Sequence, residues 1–583
     1  MLQPSSALDR VTKSIDGLLR EHHPTFFGPK PEHPSARLKG YKVIHDNLWG
    51  TNRFSWRELV LMDSPVLQRL RRIHQTGLAY YVYPSARHSR FEHSLGVLTV
   101  ASKVFDSLQQ NSTNDLQSIL AVVYPQSVYK TTVLRLRQEL RLAALLHDTG
   151  HSLFSHASER VYSELSLLKD ASSELTQFSG KKKGVGEVLS FCLALTPSIS
   201  ELLQRAATRL EPDVPSDTDE FGEPIDLKNV AMLIIGRSYH PYLQFLGDII
   251  SSGFDADKLD YLLRDAAAAG LPLRYDLERY LYTVFLQQGE IADEEGRLMN
   301  MYEVLGSKPD RKTSQTGKHY SYYETYRLKL PKLAMSTIEQ IIICKLMLYA
   351  YIYHHPKVLA AEGLLVRLLR LRVAAWFRAG HSDERIMRSF LTMTDTALDA
   401  PEFTETSDGT IESYRYRVQN RLLPRVVYSM GGALTHAEGD LIRAFLTSLQ
   451  DKEKRDRIIG DFERVIGEEL LGQDPQFACS ALEAVLKAGV WLDVPKAPDF
   501  EDADAIIGKP PASVSIDRVF PIGHWIEAYK AHRYYVRVFA FSEYVQMVDS
   551  AAQAAIRKLI GVSSKDFLDS ARKVRDSSIP ADT

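Results

Sequence analysis

Apolar residues recur every three or four positions along several stretches of this chain, a spacing typical of amphipathic or buried α-helices. These stretches are residues 59–73, 94–108, 133–146, 255–269 and 335–373. Two shorter segments, 415–427 and 534–541, are locally strand-like. We therefore predict a mainly α fold, with a helical core and a C-terminal α-rich region that contains a little β.

The length of 583 residues exceeds the usual size of a single core. Residues 1–40 are rich in Pro, Ser and His, and we expect them to form a loosely ordered N-terminal lead-in. We assign residues 41–360 to the main helical core and residues 361–583 to a C-terminal α+β region.

The composition is that of an ordinary globular protein, with 44% hydrophobic residues, 25% charged residues and a formal net charge of -2. Because binding to a nucleic-acid backbone depends on clustered Lys and Arg, an extended nucleic-acid groove is not expected. The 3 cysteines are far apart in the sequence and odd in number, which fits a reducing compartment. We find no long apolar stretch typical of export or membrane spanning, so we expect a cytoplasmic protein.

An adjacent His147-Asp148 pair directly follows the apolar run of residues 142–146. An unpaired carboxylate is costly to bury, so the pair is either a set of metal ligands or a salt-bridged helix end. Imidazole nitrogen and carboxylate oxygen together suit divalent Mn, Fe, Zn or Mg. The remaining ligands of such a site would have to come from elsewhere in the chain.

Two other segments offer such groups. His93 lies near the start of a predicted helix, and residues 255–265 place four carboxylates and two cations in one short helical stretch. Taken alone, His93 is compatible with a helix cap and the acidic stretch with a solvated face. The spacing of these residues along the chain does not by itself place them in one site with the His147-Asp148 pair.

The order of the segments nevertheless resembles a known family. The chain reads R-F-E-H-S-L-G-V at 90–97, L-L-H-D-T-G-H-S-L-F-S-H at 145–156 and D-A-D-K-L-D-Y-L-L-R-D at 255–265, with further matches at 63–75 and 347–355. This pattern resembles the HD-domain phosphohydrolases, in particular their dNTP triphosphohydrolase branch. The resemblance covers roughly residues 41–430, and we expect no sterile alpha motif ahead of it.

The resemblance implies one divalent metal ion bound by His93, His147, Asp148 and Asp257, with Mg as a possible companion of the nucleotide. It also implies a catalytic set of His151, His156 and Glu159. A carboxylate beside an imidazole supports its protonated form, as general acid catalysis on a leaving oxygen requires. Family members carry Asp at the position of Glu159, so the role is kept with a longer side chain.

The resemblance further implies contacts with a deoxynucleotide. Arg90 would meet the α-phosphate, and Gln75 and Asp265 would bond the 3′-hydroxyl. Tyr353 would exclude a 2′-hydroxyl. The full set of implied substrate residues is Arg90, Gln75, Lys258, Tyr261, Asp265, Lys345, Tyr353 and His354.

Some positions depart from the family pattern. Lys345 replaces the usual Arg, which loses a bidentate fork, and His354 stands where a mammalian member has Gln. A His-Glu pair usual after the H-D helix is here Gly186-Glu187, and the lysines at 181–183 are either alternative phosphate contacts or a solvated run.

The family's D-x-P-x-x-Q-R-L-R run implies an allosteric site. Asp63, Gln68 and Arg71 stand where a branch member holds an activating guanine nucleotide at an oligomer interface. From the residues alone, this run is only a helix with Pro65 in its first turn. We expect a homodimer or homotetramer.

The leading hypothesis is metal-dependent hydrolysis of deoxynucleoside triphosphates to deoxynucleoside and triphosphate, with or without activation by nucleotide-linked oligomerisation. One alternative is an HD phosphodiesterase or phosphohydrolase that acts on another nucleotide or on a nucleic-acid end. Another is a nucleotide-sensing module with residual catalysis.

Overall fold

Helices dominate the computed structural model of the chain, and the predicted mainly α class is confirmed. The structure describes residues 5–27, 41–180, 182–207, 225–293, 310–313, 319–400, 408–431, 445, 447–449, 451–495, 506–507, 514–515, 521, 523–525, 528–529 and 535–560.

The helices fall into an N-terminal and central set and a smaller C-terminal set. The N-terminal and central helices are α1 (Ala7–His22), α2 (Pro24–Phe27), α3 (Trp56–Met62), α4 (Pro65–Leu70), α5 (Arg90–Asn111), α6 (Thr113–Val123), α7 (Tyr129–Leu146), α8 (His156–Tyr162), α9 (Ser166–Ser179), α10 (Val185–Ala194), α11 (Pro197–Ala207), α12 (Leu227–Ile234), α13 (Gln244–Ile250), α14 (Ala256–Ala269) and α15 (Leu277–Thr283). They continue as α16 (Met335–Leu348), α17 (Pro356–Arg378), α18 (Asp383–Thr392), α19 (Gly409–Gln419), α20 (Lys452–Gln473), α21 (Ala481–Ala488) and α22 (Val545–Ile560).

The strands form small antiparallel sheets. They are β1 (Tyr41–Asp46), β2 (Gly50–Ser55), β3 (Phe285–Asp293), β4 (Asp310–Thr313), β5 (His319–Lys329), β6 (Arg425–Gly431), β7 (Trp491–Asp493), β8 (Ile506–Ile507), β9 (Val514–Ser515) and β10 (Tyr535–Ala540). The sheet orders are β1-β2, β3-β5-β4, β6-β10-β7 and β8-β9.

Helices α5 and α7 pack against each other in the middle of the main core. Arg137 of α7 holds Asp106 of α5 through two hydrogen bonds of 2.7 and 2.8 Å. Arg141, one turn further along α7, donates to the Ser102 hydroxyl of α5 and holds the buried Glu58 carboxylate. Because these pairs run in opposite chain directions, the helices are antiparallel, and the start of α5 meets the end of α7.

A second apolar core lies in the C-terminal part of the chain. It is built from residues of the β6-β10-β7 sheet and of α20, α21 and α22, and it begins at Val427. Residue 360, where we expected the main core to end, lies inside α17. The main core continues through Val418 of α19, because α17 and α19 bury their apolar faces against it.

The N-terminal lead-in also differs from the expectation. Residues 7–22 form helix α1, which buries Leu8, Val11 and Ile15. These positions are three or four residues apart, and the Ser6 hydroxyl caps the helix by accepting from Asp9 N at 3.2 Å. The lead-in is therefore an ordered part of the core over this range.

Three other predicted elements are divided in the structure. The helix predicted over 59–73 breaks between α3 and α4 at Asp63 and Ser64, because Pro65 disfavours a helical conformation in the residue before it. The helix predicted over 335–373 is interrupted by a π-helical turn at Tyr349–Tyr353. The segment 415–427 contains the end of α19 and the start of β6.

One helical stretch among the described residues, Lys332–Tyr353, is long and apolar enough to cross a membrane. The bent pair α10 and α11 would add a second stretch if it were read as one span. The most apolar 18-residue segment of Lys332–Tyr353 is 44% buried inside the protein. Ile338 and Ile341 of this stretch join the main core.

Candidate metal centre and catalytic loop

His93 lies in the first turn of α5, where the chain fixes both the helix start and the ring. Ser89 caps the helix, and the Glu92 carboxylate accepts from Ser89 N at 2.9 Å in a capping box. The His93 side chain is completely buried, and its Nδ1 donates to Asp260 Oδ2 at 2.8 Å. This hydrogen bond leaves Nε2 of His93 as the nitrogen available to an ion.

His147 and Asp148 directly follow α7. The end of α7 meets the start of α5, which carries His93. Nδ1 of His147 donates to the Ala144 carbonyl at 2.7 Å, so its Nε2 carries the free lone pair. Arg90 Nη1 donates to Asp148 Oδ2 at 2.5 Å and holds that carboxylate in place.

Asp257, in the first turn of α14, completes a cluster that we call the metal cluster. His93 Nε2 lies 3.0 Å from Asp257 Oδ1 and 3.6 Å from Asp148 Oδ2. His147 Nε2 lies 3.5 Å from Asp148 Oδ1 and 3.8 Å from Asp257 Oδ1. Bonds of about 2.1 Å to a shared ion would separate neighbouring ligand atoms by about 3.0–3.4 Å, close to these distances.

The metal cluster passes a further test of fit for a divalent ion. Nε2 of His93 and Nε2 of His147 are both buried, and neither has a hydrogen-bond partner among the described residues. Buried polar atoms are normally satisfied, so two such atoms beside two carboxylates are typical of a metal site. The ligand atoms of His93, His147 and Asp257 lie within 4.8 Å of one another and could hold one divalent ion such as Mn, Fe, Zn or Mg, with Asp148 beside them.

Burial and charge oppose each other strongly in the metal cluster. Burial disfavours a protonated His93, but the adjacent carboxylates of Asp257 and Asp260 outweigh it and raise its pKa to about 10. Burial also disfavours ionised Asp148, but Arg90 and His147 hold its pKa well below the usual range. The carboxylates therefore stay charged, as metal ligation requires.

His93 is supported by residues that we did not predict from the sequence. Asp260, which accepts from His93, is itself held by Arg264 through bonds of 2.8 and 2.9 Å. A Cβ at Gly96 would lie 1.9 Å from Asp260 Oδ1, so only glycine fits there. Gly96 is three residues after His93 and Asp260 is three after Asp257, and this helical spacing could have revealed both.

His151, His156 and Glu159 form the group that we call the proton-transfer group. Asp148 Oδ1 lies 3.2 Å from His151 Nδ1, and Glu159 Oε2 lies 3.7 Å from His151 Nε2. His156 Nδ1 donates to the same Glu159 oxygen at 3.0 Å. The three side chains could themselves hold an ion, since their ligand atoms all lie within 4.8 Å of one another.

The electrostatics of the proton-transfer group separate its two histidines. Burial, reinforced by the Arg90 charge, lowers the pKa of His151. Burial also opposes ionisation of Glu159, but the hydrogen bond from His156 and the nearby His151 outweigh it and lower the pKa of Glu159. His156 is 72% exposed and can therefore reach a bound molecule.

Gly186, where the family usually carries His, lies against this group. Its N–H donates to Glu159 Oε1 at 3.0 Å. A Cβ at this position would lie 2.8 Å from Cε1 of His151, so a larger residue would displace the imidazole. The missing side chain is thus replaced by close packing of the helix backbone on His151.

The residues expected to contact phosphate differ in their availability. Arg90 is only 1% exposed, and its Nη2 has no hydrogen-bond partner among the described residues. Lys258 Nζ donates to Ser252 O and to Asp255 Oδ2, at 2.6 and 2.8 Å, near the start of its own helix. Lys345 is half-buried in the last turn of α16.

The lysine run after α9 does not present Lys183 to a phosphate. Its Nζ donates to Glu187 Oε1 at 2.9 Å and to Ser251 Oγ at 2.7 Å. Lys181 lies outside the described residues. Lys183 therefore anchors the start of α10, and the reading of this run as a set of alternative phosphate contacts is wrong for that residue.

Residues assigned to sugar recognition converge on Asp265. Tyr353 donates its hydroxyl to Asp265 Oδ2 at 2.5 Å, and His88 Nε2 donates to Asp265 Oδ1 at 2.7 Å. Tyr261 is half-buried one turn earlier on α14. The Gln75 side-chain oxygen is buried without a hydrogen-bond partner in the described part of the chain, so it can still accept from a ligand.

The remaining assigned residues lie at two other places. His354 is buried, with its Nδ1 3.0 Å from the Tyr529 hydroxyl. Asp63 directly follows α3, Gln68 lies in α4 and Arg71 directly follows α4. Gln68 Oε1 accepts from Arg71 Nε at 3.0 Å.

The central part of the chain matches a known protein family. The model of the family described as "HD domain" matches residues 90–195. These residues form an HD domain. The match includes His93, His147, Asp148 and the proton-transfer group but ends before Asp257, so the fourth residue of the metal cluster lies on α14, outside the matched residues.

Curated relatives extend the similarity beyond the HD domain. Human deoxynucleoside triphosphate triphosphohydrolase SAMHD1 is 28% identical over 287 residues, 48% of this chain and 42% of the relative. The SAMHD1 homolog of Dictyostelium discoideum is 28% identical over 273 residues, 46% of this chain and 45% of the relative. The aligned regions thus span about half the length of these relatives.

A solved structure shares the fold over most of the chain. A hypothetical protein from Aquifex aeolicus superposes with a TM-score of 0.51 at 19% identity, covering 88% of this chain and 99% of the other. The HD domain and its C-terminal continuation are therefore similar in fold to that protein.

Proposed function

We propose that this protein hydrolyses deoxynucleoside triphosphates to deoxynucleoside and triphosphate with the help of a divalent ion. One observation carries the proposal: Asp148 lies beside both histidines of the metal cluster and also beside His151. The metal cluster and the proton-transfer group therefore share one carboxylate. The similarity to dNTP triphosphohydrolases supports the choice of substrate.

The chain's own residues would bind and orient the phosphates. When bound, the ion polarises a phosphoryl oxygen and makes water more acidic. Arg90 holds Asp148 with Nη1 and keeps Nη2 available for the α-phosphate. The guanidinium charge beside the phosphorus would favour the transition state, in which negative charge develops on the oxygens.

Proton transfer to the leaving oxygen would fall to His156. Glu159 accepts from His156 Nδ1, which directs Nε2 of the ring outward. The exposure of His156 allows this nitrogen to meet the 5′-oxygen of the nucleotide. His151, buried between Asp148 and Glu159, would orient the carboxylates of both groups.

The sugar would be recognised where Tyr353 and His88 meet Asp265. The Tyr353–Asp265 hydrogen bond fixes the tyrosine ring, and a fixed ring can exclude a 2′-hydroxyl. Gln75 has an acceptor oxygen to offer the 3′-hydroxyl. This arrangement would favour deoxynucleotides over ribonucleotides.

Regulation is the less direct part of the proposal. Asp63, Gln68 and Arg71 would bind a guanine nucleotide and stabilise a homodimer or homotetramer. Arg71 lies over the Phe91 ring with its Cζ 3.7 Å from the centroid, so a ligand at Arg71 would contact the helix that carries His93.

A second candidate function is hydrolysis of a different nucleotide or phosphoester. It is favoured by His354, which is bound to Tyr529 where a base contact is expected.

A product assay separates these candidates. Purified protein would be incubated with each dNTP and with Mn or Mg, with and without GTP, and the products resolved by ion-exchange chromatography. We expect deoxynucleoside and triphosphate, with heavy oxygen from labelled water in the triphosphate. Release of pyrophosphate or of monophosphate would contradict the proposal, and turnover of ribonucleotides at an equal rate would contradict the role of Tyr353.

A further inference from the structure

The loop between His151 and His156 contains two residues in an unfavourable backbone conformation. Phe154 and Ser155 have φ values of 50° and 56°, in the left-handed region that side chains with a Cβ rarely adopt. Such conformations persist only where surrounding contacts determine them, and they cluster at functional sites. Something must therefore hold this turn immediately before His156.

A carboxylate far away in sequence provides that contact. Asp395 begins a short 3-10 helix, Asp395–Asp399, beyond α18 and outside the HD domain. Its Oδ1 accepts from Phe154 N at 2.5 Å. Its side chain is only 7% exposed, and an acceptor buried in this way fixes the direction of the Phe154 N–H.

The other oxygen of Asp395 holds the segment that leads to Gln75. Oδ2 accepts from His74 N at 2.8 Å and from His74 Nδ1 at 2.5 Å. Three donors thus satisfy one buried carboxylate. Because Gln75 directly follows His74, Asp395 sets the position of a residue assigned to the sugar together with that of the catalytic loop.

The two sides are joined by a second hydrogen-bonded path. Ser155 Oγ donates to His74 O at 2.6 Å and accepts from Arg90 Nε at 2.8 Å. Arg90 in turn holds Asp148. The path from His74 through Ser155 and Arg90 reaches the metal cluster without passing through the proton-transfer group.

We infer that Asp395 is a positioning residue that aligns the sugar-binding segment with the loop carrying His156. The inference rests on the proposed hydrolysis at this site. His93 is held by Asp260, His147 by Ala144 O and Asp148 by Arg90, and none of these three partners bonds to Asp395. We therefore expect loss of Asp395 to move His156 and Gln75 and to leave ion binding intact.

The test compares Asp395→Ala with Asp399→Ala, a change to the exposed acid at the other end of the same short helix. We expect Asp395→Ala to lower kcat by about 10²-fold, because a displacement of about 1 Å can cost that much. Metal content should stay at the wild-type value in both variants, and Asp399→Ala should keep wild-type kcat.

Two further variants distinguish the roles of the two carboxylate oxygens of Asp395. Asp395→Asn can still offer an oxygen to Phe154 N, but its amide would face the His74 N–H, so kcat should fall less than in Asp395→Ala. His74→Ala keeps the backbone bond and removes the ring, so it should raise KM more than it lowers kcat.

A readout independent of turnover completes the test. In protein with labelled histidines, the ring resonances of His156 should shift in Asp395→Ala and not in Asp399→Ala. Unchanged resonances together with unchanged kcat would overturn the inference, as would loss of the ion from Asp395→Ala or Asp395→Asn. Wild-type protein that releases no triphosphate would instead overturn the proposed function, while the histidine resonances would still decide the role of Asp395.

Discussion

The metal cluster and the proton-transfer group use the same residue types but are held very differently. His93 has no exposed side-chain surface, whereas the His156 side chain is 72% exposed. Both histidines of the metal cluster have their Nδ1 fixed by an acceptor within the protein scaffold. The contrast supports our proposal that the metal cluster binds an ion and that His156 meets the substrate.

The two regions are nevertheless not independent. Asp148 faces the histidines of the metal cluster and also lies 3.2 Å from His151. Helices α5, α7 and α14 fix the first region, whereas in the second a strained turn lies between His151 and His156. A change in the metal cluster should therefore disturb both regions, and a change at His156 only one.

Removal of the shared carboxylate should have the largest effect. Asp148→Ala is expected to lose the ion and to lower activity by more than about 10³-fold, because an ion provides several kcal/mol of transition-state stabilisation and each 1.36 kcal/mol is about tenfold. Metal analysis and a product assay would check this. Asp115→Ala, at an exposed site on α6, should behave as wild type. Retention of a full ion by Asp148→Ala would remove Asp148 from the metal cluster.

Loss of the exposed histidine should separate the two regions. His156→Ala is expected to keep one ion per chain and to lower kcat by about 10²–10⁴-fold, the usual contribution of general acid catalysis. The control is His45→Ala, at an exposed position of β1. If the wild-type protein held two ions and His156→Ala held only one, the result would instead show that His151, His156 and Glu159 bind metal.

The sequence predicted the long helices and the candidate ligands better than it predicted their support. Residues 94–108 and 133–146 lie within α5 and α7, because uninterrupted apolar periodicity is sufficient to locate a buried helix. His93 and His147 meet because these helices pack antiparallel, and the sequence joined the two residues only through the family resemblance.

Features that depend on distant contacts were not predictable. Asp395 lies 241 residues from Phe154, and nothing in the local sequence of either residue indicates their contact. Left-handed Phe154 and Ser155 likewise have no sequence signal, because the conformation is imposed against their own preference. By contrast, α1 could have been predicted, since Leu8, Val11 and Ile15 have helical spacing.

The support beneath His93 should affect metal affinity without touching the proton-transfer group. In Gly96→Ala, the new methyl group would overlap Asp260 Oδ1, so Asp260 must move away from His93. Outer contacts of metal ligands typically contribute about 10–100-fold to affinity, and we expect a loss in that range, measured by competition with a chelator. Gly460→Ala, in a helix where a Cβ meets nothing within 4 Å, is the matched control.

The smallest expected effect is at Gly186, which lies against the proton-transfer group. In Gly186→Ala, a methyl group 2.8 Å from His151 Cε1 would tilt the ring and weaken its approach to Glu159, so kcat should fall by up to about tenfold, which corresponds to about 1.4 kcal/mol. The ion should remain bound, because His151 lies outside the metal cluster. Gly472→Ala, which meets nothing within 4 Å, serves as control. A fall in metal affinity equal to that of Gly96→Ala would show that Asp148 transmits displacement of His151 to the ion, and the two regions would then act as one site.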